Sequence, residues 1–448
     1  MDVVLQGVRV IDPLSGRDEE PLDVWVQDGL LKAVDRNISA PGAQLVDLAR
    51  SDAGSLVVCP GFIDLHAHLR EPGEVEKETV RSGAAAAAAG GYTQVLAMAN
   101  TSPPVDSPGL VGQMRTRAAR LPVRVLPAAA VTKGLFGAEL VDVAGCAAAG
   151  VAAFSDDGRN AAPPRLLAEA IAEAADFECA VLVHPEDEAM VLAMNPDGSS
   201  VTRCAVRPSA CEEAAVDSAL RAVVDAGRGR LHLQHLSCAG AAQTVREARE
   251  LGVAVTAEVT PHHLSMWLPF VEEPRPRSLR KVNPPLRGES DRQALVHALR
   301  EGVIDAVATD HAPHSAVDKD CEYADAAPGM IGLETAFAVC NTIGAMGGGW
   351  LPVLIERLTA GPWRVLGDQS GLLEPRLRVG QRANLVLIDP EATWAVMPEK
   401  LRSRSRNTPL LGAELRGRVL LTIAAGSVAH LDADGALAAA FAEPAISG

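Results

Sequence analysis

The stretch Phe62-Ile63-Asp64-Leu65-His66-Ala67-His68-Leu69-Arg70 decides the fold of this chain and points to its chemistry. It is an apolar strand that ends with two histidines at spacing i, i+2, followed by an arginine. Residues at i and i+2 of a strand point to the same face, so His66 and His68 can bind one metal ion while Ala67 faces away. A lone His-x-His pair is weak evidence, because histidines at strand ends are often only hydrogen-bonded. The pair therefore has to be weighed with the other histidines of the chain.

Short apolar runs lead into histidines or aspartates at four later points. These segments are Asp156-Asp157-Gly158, Cys179-Ala180-Val181-Leu182-Val183-His184, His232-Leu233-Gln234-His235 and Thr309-Asp310-His311-Ala312-Pro313-His314. Imidazole nitrogens and carboxylate oxygens suit zinc, and a carboxylate that can bridge suits a pair of ions sharing one water molecule. Together the clusters predict a metal site.

Apolar strand candidates alternate with helical patterns from about residue 58 to about residue 345. The candidates are residues 95–99, 123–126, 151–154, 180–183, 231–233, 253–259 and 306–308. This alternation is typical of a parallel sheet. About eight strands at intervals of roughly 25 to 50 residues favour a closed barrel over an open sheet. The carboxyl ends of barrel strands converge on one mouth. The residues predicted there are His66, His68, Asn100, Asp157, His184, His235 and Asp310.

The two ends of the chain have a different pattern, with short strands and turn signals before residue 57 and again after about residue 378. The clearest strands lie in segments 8–13, 23–29 and 380–389. Because the barrel lies between the two ends, we expect them to join in one small domain beside it. The predicted fold class is α/β, a (β/α)8 TIM-like barrel at residues 58–377 with a discontinuous β-sandwich made of residues 1–57 and 378–448.

Composition limits the function classes. A chain of 448 residues with 48% hydrophobic content can bury the core of one large barrel and a small domain. The formal net charge of -16, without any block of basic residues, argues against a nucleic-acid partner. The start, Met1-Asp2-Val3-Val4-Leu5-Gln6, has neither a basic region nor a long apolar stretch, which predicts a cytoplasmic protein without a membrane span. The eight cysteines include no Cys-x-x-Cys pair and are expected to be reduced thiols.

Several motifs carry a resemblance that covers nearly the whole chain. They are Cys59-Pro60-Gly61-Phe62-Ile63-Asp64-Leu65-His66-Ala67-His68-Leu69-Arg70-Glu71-Pro72-Gly73, Phe154-Ser155-Asp156-Asp157-Gly158, His232-Leu233-Gln234-His235-Leu236-Ser237, Lys281-Val282-Asn283-Pro284-Pro285-Leu286-Arg287, Ala308-Thr309-Asp310-His311-Ala312-Pro313-His314 and Ser405-Arg406-Asn407-Thr408-Pro409. This set resembles the dihydroorotases of the type I branch of the amidohydrolase superfamily. The resemblance implies a zinc-dependent enzyme that interconverts dihydroorotate and N-carbamoyl-aspartate in pyrimidine biosynthesis, inside a β/α barrel.

The resemblance also implies the metal ligands. They are His66, His68 and Asp310 for one zinc ion, His184 and His235 for a second, and Asp157 as the bridge between them. Many relatives bridge their metals with a carboxylated lysine, but residues 134–280 contain no lysine, so we expect an aspartate in that place. The choice of Asp157 rests on the resemblance to the aspartate-bridged branch, and Asp156 is the alternative.

The same residues suggest a mechanism. Two zinc ions sharing a water molecule would lower its pKa from about 16 toward about 7 and so supply hydroxide to attack the ring carbonyl. Asp310 is expected to take the proton from that water and deliver it to the departing ring nitrogen, acting first as a base and then as an acid.

Recognition of an anionic substrate needs a cation in this acidic chain. Arg70 follows the second histidine by two residues, where its guanidinium can pair with the substrate carboxylate. By resemblance, Asn100 and His314 complete this carboxylate pocket and Asn283 contacts the ring amide. The alternative for His314 is a further metal ligand or a histidine that stabilises its loop. The segment 315–329 is expected to be a mobile loop that closes over substrate, or else an ordinary surface loop.

Three functions compete for these residues. The first is dihydroorotase, and the second is a hydantoinase or allantoinase that shares the barrel and zinc but lacks the pocket of Arg70, Asn100 and His314. The third is an inactive homologue kept as a scaffold for aspartate transcarbamoylase, which the presence of every expected ligand type disfavours. A homodimer, and association of an active enzyme with aspartate transcarbamoylase, stay open at this point, as do the roles of His262 and His263.

Overall fold

Two eight-stranded sheets organise the chain in a computed structural model, which describes residues 1–49, 56–158, 163–195, 207–268, 277–344, 349–432 and 436–441. The strands are β1 (Asp2–Asp12), β2 (Arg17–Gln27), β3 (Leu30–Asp35), β4 (Gln44–Asp47), β5 (Val57–Pro60), β6 (Phe62–Ala67), β7 (Tyr92–Ala97), β8 (Arg124–Ala129), β9 (Ala153–Ser155), β10 (Ala180–Val183), β11 (Arg230–Leu233), β12 (Val255–Val259), β13 (Ala306–Val307), β14 (Leu385–Ala395), β15 (Glu414–Ala424) and β16 (Ser427–Leu431). The helices are α1 (Val80–Ala89), α2 (Pro108–Ala118), α3 (Val143–Ala148), α4 (Pro164–Ala175), α5 (Glu188–Met194), α6 (Ser209–Ala226), α7 (Ala239–Glu250), α8 (Pro261–Ser265), α9 (Glu289–Glu301), α10 (Ala316–Lys319), α11 (Ala336–Gly344), α12 (Trp350–Leu358), α13 (Ala360–Leu366) and α14 (Ala436–Phe441).

Strands β6 to β13 form a parallel barrel in chain order. The ends of the sheet meet at a bridge between Ala67 and His311, where the His68 backbone N–H donates to the His311 carbonyl at 2.8 Å. Next to this bridge, Thr309 donates from its backbone N–H and its hydroxyl to the buried Asp64 carboxylate, at 2.8 and 2.6 Å. These contacts close the barrel, and the predicted TIM-like fold is confirmed.

Alternate residues of the barrel strands belong to two different cores. Leu96, Leu182 and Ala306 pack together inside the barrel. Val95 and Val181, which lie one position away from Leu96 and Leu182, pack in the larger core that includes the surrounding helices. Parallel strands covered on both sides have near-continuous apolar runs, which is why the sequence shows them as short unbroken segments. Histidines and aspartates at their carboxyl ends therefore stand out from the pattern.

The second sheet contains strands from both ends of the chain, in the order β16-β15-β14-β5-β1-β2-β3, with β4 also paired to β1. Strand β14 runs antiparallel to β5, with Leu385 opposite Pro60. Leu5, Val58 and Leu385 share one core, so both ends contribute to the same small domain, as predicted. Its strands form a single connected sheet. The residue boundaries given above for the domains remain a prediction.

Gly61 alone separates the small sheet from the barrel, because β5 ends at Pro60 and β6 begins at Phe62. A Cβ at Gly61 would lie 2.1 Å from the Thr93 side chain, so only glycine fits this junction. The first metal-site strand is therefore joined to the small domain without a linker.

The cysteines in the described part of the chain carry free thiols, as expected. Cys321 is exposed and the others are buried, whereas Cys204 lies outside the described residues. Within the same part of the chain, no helix combines the length and the apolar character that crossing a membrane requires.

We predict that Thr309→Val destabilises the fold, because it removes a hydroxyl that donates to the buried Asp64 carboxylate where the barrel closes. The expected loss is about 1 to 3 kcal/mol of unfolding free energy, measured by urea denaturation. Thr116→Val is the matched control, since the Thr116 hydroxyl bonds only a carbonyl on the exposed side of α2, and it should change stability by less than about 0.5 kcal/mol. Equal losses in both variants would contradict the closing role of Thr309.

Candidate functional site

A cleft of about 750 Å³ opens at the carboxyl ends of the barrel strands. A cleft of this volume is typical of small-molecule sites. A larger groove of about 990 Å³ lies at the opposite end of the barrel, and none of the predicted site residues lines it. His66 is fully buried beside the cleft. The other predicted residues all line it: His68, Arg70, Asn100, Asp157, His184, His235, Asn283, Asp310 and His314.

Asp157 lies at the centre of the histidine cluster. Its Oδ1 is 3.3 Å from His66 Nε2, 3.6 Å from His235 Nε2 and 3.7 Å from His184 Nδ1. Its Oδ2 is 3.4 Å from His68 Nε2. The side chains therefore form two groups with metal-ligand spacing, one with His66 and His68 and one with His184 and His235, and both groups contain Asp157.

Asp156 faces away from this cluster. Its carboxylate accepts hydrogen bonds from the backbone N–H groups of Val131 and Thr132, at 2.7 and 3.0 Å, and from the Thr132 hydroxyl. These bonds hold the loop after β8 against the end of β9. The alternative bridge thus has a local structural partner, whereas Asp157 faces the histidines.

The cluster fits a metal centre. His66 Nε2 and His235 Nδ1 are buried and have no hydrogen-bond partner among the described residues, although His66 Nε2 lies within ionic distance of Asp157. Asp310 adds a second carboxylate, with Oδ1 at 3.0 Å from His68 Nε2 and 3.6 Å from His66 Nε2. Imidazole nitrogens and carboxylate oxygens that converge in a buried pocket are a donor set for zinc and related cations.

The electrostatics of the cluster favour bound positive charge. Burial works against the charged form of each group, yet the neighbouring imidazoles hold the pKa of Asp157 well below its usual value. Against the same burial, Asp157 and Asp310 hold the pKa of His66 well above its usual value, and Asp157 with Glu186 raises the pKa of His184 to about 9. The carboxylates therefore favour the protonated forms of His66 and His184, and a metal cation at this place would supply the same positive charge.

Glu258 is a further part of the site that the sequence analysis missed. Its fully buried carboxylate has Oε1 3.0 Å from His66 Nδ1 and Oε2 3.0 Å from His232 Nε2. A carboxylate at Nδ1 favours the tautomer whose Nε2 lone pair is available to a metal. His232, three residues before the predicted ligand His235, contacts the same carboxylate. The available signal was a single acidic residue inside the apolar strand β12.

Asn100 lies against the cluster itself. Its Oδ1 is 2.9 Å from His68 Nδ1, and its Nδ2 donates to Asp157 Oδ2 at 3.1 Å. The side chain therefore orients one histidine and the central carboxylate together. Contact with a substrate carboxylate, as the resemblance implies for Asn100, remains a prediction.

Arg70 and His314 are neighbours on the cleft wall. The Arg70 guanidinium donates to the Pro313 carbonyl at 3.1 Å and lies 3.4 Å from His314 Nε2. No acidic side chain of the described residues forms an ion pair with Arg70, and burial lowers its pKa. Burial and Arg70 lower the pKa of His314 to about 2, which keeps that imidazole neutral. The pair therefore offers one positive charge without a direct ion pair, although the carboxylates of Glu74, Asp310, Asp157 and Asp318 act on it electrostatically.

Three residues of the site have a backbone conformation that is rare outside glycine. The φ angles are +56° at Arg70, +33° at His235 and +44° at Asp310. Such left-handed conformations cost energy and cluster at functional sites, where the surrounding structure enforces them. Here they occur where the side chains turn into the cleft.

The segment 315–329 forms part of the cleft wall and is tied to the neighbouring loop. Lys319 Nζ donates to the carbonyls of Ser278 and Lys281 at 3.1 Å each, and Lys281 Nζ donates to the Ala324 carbonyl at 2.7 Å. The predicted movement of this segment over a substrate stays a prediction.

His263, left open above, lies 2.8 Å from the Thr260 hydroxyl and 3.0 Å from the Pro284 carbonyl.

A TIM-like barrel whose mouth carries this histidine and aspartate cluster defines an amidohydrolase-type enzyme. The L-hydantoinase of Arthrobacter aurescens shares the fold, with a TM-score of 0.81 and 24% identity over 95% of each chain. Residues 54–228 match the Dihydro-orotase-like family. The dihydroorotase of Anaeromyxobacter dehalogenans is 42% identical over 430 residues, which cover 95% of this chain and 97% of that protein. The dihydroorotase of Aquifex aeolicus is 35% identical over 435 residues, which cover 96% and 100%. The chain belongs to the dihydroorotase family and is a cyclic amide hydrolase.

We predict that Glu258→Gln weakens metal binding about 10- to 100-fold, because glutamine offers one neutral acceptor oxygen to two imidazoles. Competition with a chromophoric zinc chelator measures this affinity. Glu334→Gln is the control, since the Glu334 carboxylate accepts bonds from the backbone of Arg402 and Ser403 and contacts no histidine of the cluster. An unchanged zinc affinity in Glu258→Gln would show that metal binding by His66 does not depend on the Glu258 carboxylate at its Nδ1.

Proposed function

We propose that this chain is an active dihydroorotase, which reversibly hydrolyses the ring amide of dihydroorotate to N-carbamoyl-L-aspartate in pyrimidine biosynthesis. The observation that carries the proposal is Arg70, a half-buried cation that forms no direct ion pair among the described residues, in the same cleft as the metal-ligand cluster. Dihydroorotate carries a carboxylate on the ring carbon that one CH2 group separates from the carbonyl that is hydrolysed. A guanidinium pairs with a carboxylate through two parallel hydrogen bonds, so Arg70 supplies the recognition that this substrate requires.

The proposed cofactor is a pair of zinc ions. The residues that would hold them are His66, His68 and Asp310 at one position, His184 and His235 at the other, and Asp157 at both. Bound there, zinc lowers the pKa of water toward about 7 and polarises a carbonyl oxygen.

Asp310 is the proposed general base and acid. Its side chain lines the cleft, and although burial opposes ionisation, His66 and His68 hold its pKa below the usual value. The carboxylate is thus ionised at neutral pH and accepts a proton as water adds to the ring carbonyl. When the ring C–N bond breaks, protonated Asp310 donates that proton to the leaving nitrogen. Ring closure uses the same group in reverse.

The cleft distinguishes this proposal from its alternatives. A hydantoinase shares the fold but acts on a ring without a carboxylate, so that function would leave the Arg70 guanidinium without an anionic ligand. An inactive scaffold would not require the two complete groups of metal-ligand side chains around Asp157. The homodimer and the association with aspartate transcarbamoylase stay predictions.

Ring opening of dihydroorotate by the purified protein, with zinc measured on the same sample, tests the proposal. Asp310→Asn, which cannot accept the proton, is expected to lower kcat about 100-fold or more. Asp325→Asn changes an exposed acid on the same cleft wall and should leave kcat within about twofold. No turnover by zinc-loaded wild-type protein would reject dihydroorotate as the substrate and direct the assay to hydantoins and allantoin.

A second test concerns the substrate carboxylate. We predict that Arg70→Met lowers kcat/KM for dihydroorotate about 10- to 100-fold, the usual value of hydrogen bonds to a charged group. For hydantoin, a cyclic imide without a carboxylate, the same variant should lose less than about twofold. Steady-state kinetics with both compounds measures the difference. An equal loss with both would mean that Arg70 supports the site without binding the carboxylate.

A further inference from the structure

Arg207 is a second arginine of the cleft, with a role unlike that of Arg70. Its side chain is only 6% exposed, and it lines the cleft beside His184 and Asn283. Its guanidinium donates to the Glu186 carboxylate and, at 3.0 Å, to Asn283 Oδ1. The sequence analysis gave Arg207 no role, because nothing in its local pattern distinguishes it.

The ion pair with Glu186 neutralises Arg207. Both side chains are 6% exposed, so the two charges compensate each other in a buried environment. Glu186 follows His184 by two residues, and its Oε2 lies 3.9 Å from His184 Nε2. Arg207 is therefore unsuited to bind a substrate anion, and in the described part of the chain its other side-chain hydrogen bond goes to Asn283.

The contact with Arg207 determines which way the Asn283 amide points. A guanidinium has donors and no acceptor, so the Asn283 atom that faces it must be the oxygen. The amide nitrogen is then directed to the other side, where it lies 3.2 Å from His184 Nε2. An amide nitrogen carries two N–H groups, so it can serve one further acceptor in the cleft that Asn283 lines.

We propose that Arg207 is a positioning residue, which fixes Asn283 so that its amide nitrogen donates to a carbonyl oxygen of the substrate. This inference rests on the proposed function, since dihydroorotate has a second ring carbonyl beside the amide that is hydrolysed. Because the Asn283 oxygen faces Arg207, the group that this orientation directs away from Arg207 is the N–H donor, which suits a ring carbonyl. The Glu186 carboxylate keeps Arg207 in place for this task.

The test is a double-mutant cycle on KM. Arg207→Met removes the donors and should raise KM for dihydroorotate about three- to tenfold with kcat within about twofold, whereas Arg207→Lys, which keeps a donor, should restore most of the loss. Asn283→Ala should raise KM similarly. If Arg207 acts through Asn283, the double variant Arg207→Met/Asn283→Ala has the same KM as Asn283→Ala alone. A double variant in which the KM increases of the two single variants multiply would overturn the proposal.

Two further variants separate positioning from a structural role. Asn283→Asp keeps an oxygen for Arg207 but has no N–H group, so it should raise KM even where Arg207→Met fails to fold. An unchanged KM there would overturn the proposal. Arg249→Met breaks the Arg249–Asp305 ion pair, whose residues do not line the cleft. This variant should leave KM unaltered even if it lowers Tm.

Calorimetric titration with N-carbamoyl-L-aspartate, made in an Asp310→Asn background so that the ligand is not cyclised, provides a readout that does not depend on turnover. The Kd should rise in Arg207→Met and Asn283→Asp by the same factors as KM. A wild-type enzyme that does not turn over dihydroorotate refutes the proposed function. An active wild-type enzyme whose KM and Kd are insensitive to Arg207→Met refutes the positioning role alone.

Discussion

The buried Asp157 carboxylate, surrounded by four imidazoles, is the constraint on which the rest of the mouth depends. An ionised carboxylate in a poorly solvated place is tolerated only when positive charge and hydrogen bonds compensate it. Each imidazole can supply that compensation only if its orientation is fixed, and the structure provides partners for this purpose. Glu258 contacts His66, Asn100 contacts His68, and Asn283 contacts His184. The need to keep one carboxylate charged inside the barrel thus explains why these polar residues surround the cluster.

The far end of the chain also supports the cleft. Asn407 accepts from the His314 backbone N–H at 3.0 Å and donates to the carbonyls of Ala312 and Gly329 at 2.9 and 3.2 Å. Gly329 has a φ of +127°, and a Cβ there would lie 2.6 Å from Ala312 Cβ, so this close approach requires glycine. The segment before β15 therefore holds the loop that carries His314, and the wall of the recognition pocket depends on residues remote in sequence.

The barrel and the metal cluster were predictable from the sequence, whereas the supporting contacts were not. Each predicted ligand directly follows an apolar run, and strand ends of a barrel converge, so local patterns were sufficient to bring the ligands together. Glu258 and Arg207 act through residues 192 and 76 positions away, His66 and Asn283, and no local pattern records such a pairing. The choice between Asp156 and Asp157 depended on strand register, where a shift of one residue exchanges the two faces. The bonds from Val131 and Thr132 to Asp156 support Asp157 as the bridge, which stays a prediction.

The shared fold locates specificity in a few side chains of the cleft. The L-hydantoinase of Arthrobacter aurescens has the same architecture at 24% identity, so the barrel alone does not select a substrate. In this chain two arginines border the same cleft, and their partners separate their roles. Arg207 forms a buried ion pair with Glu186 and directs an amide, whereas Arg70 donates to the Pro313 carbonyl and forms no direct ion pair among the described residues. A cation without a direct ionic partner gains more from a ligand of opposite charge than one that is already paired. Under the proposed function, Arg70 is therefore the group through which this cleft would favour an anionic ring over a neutral one.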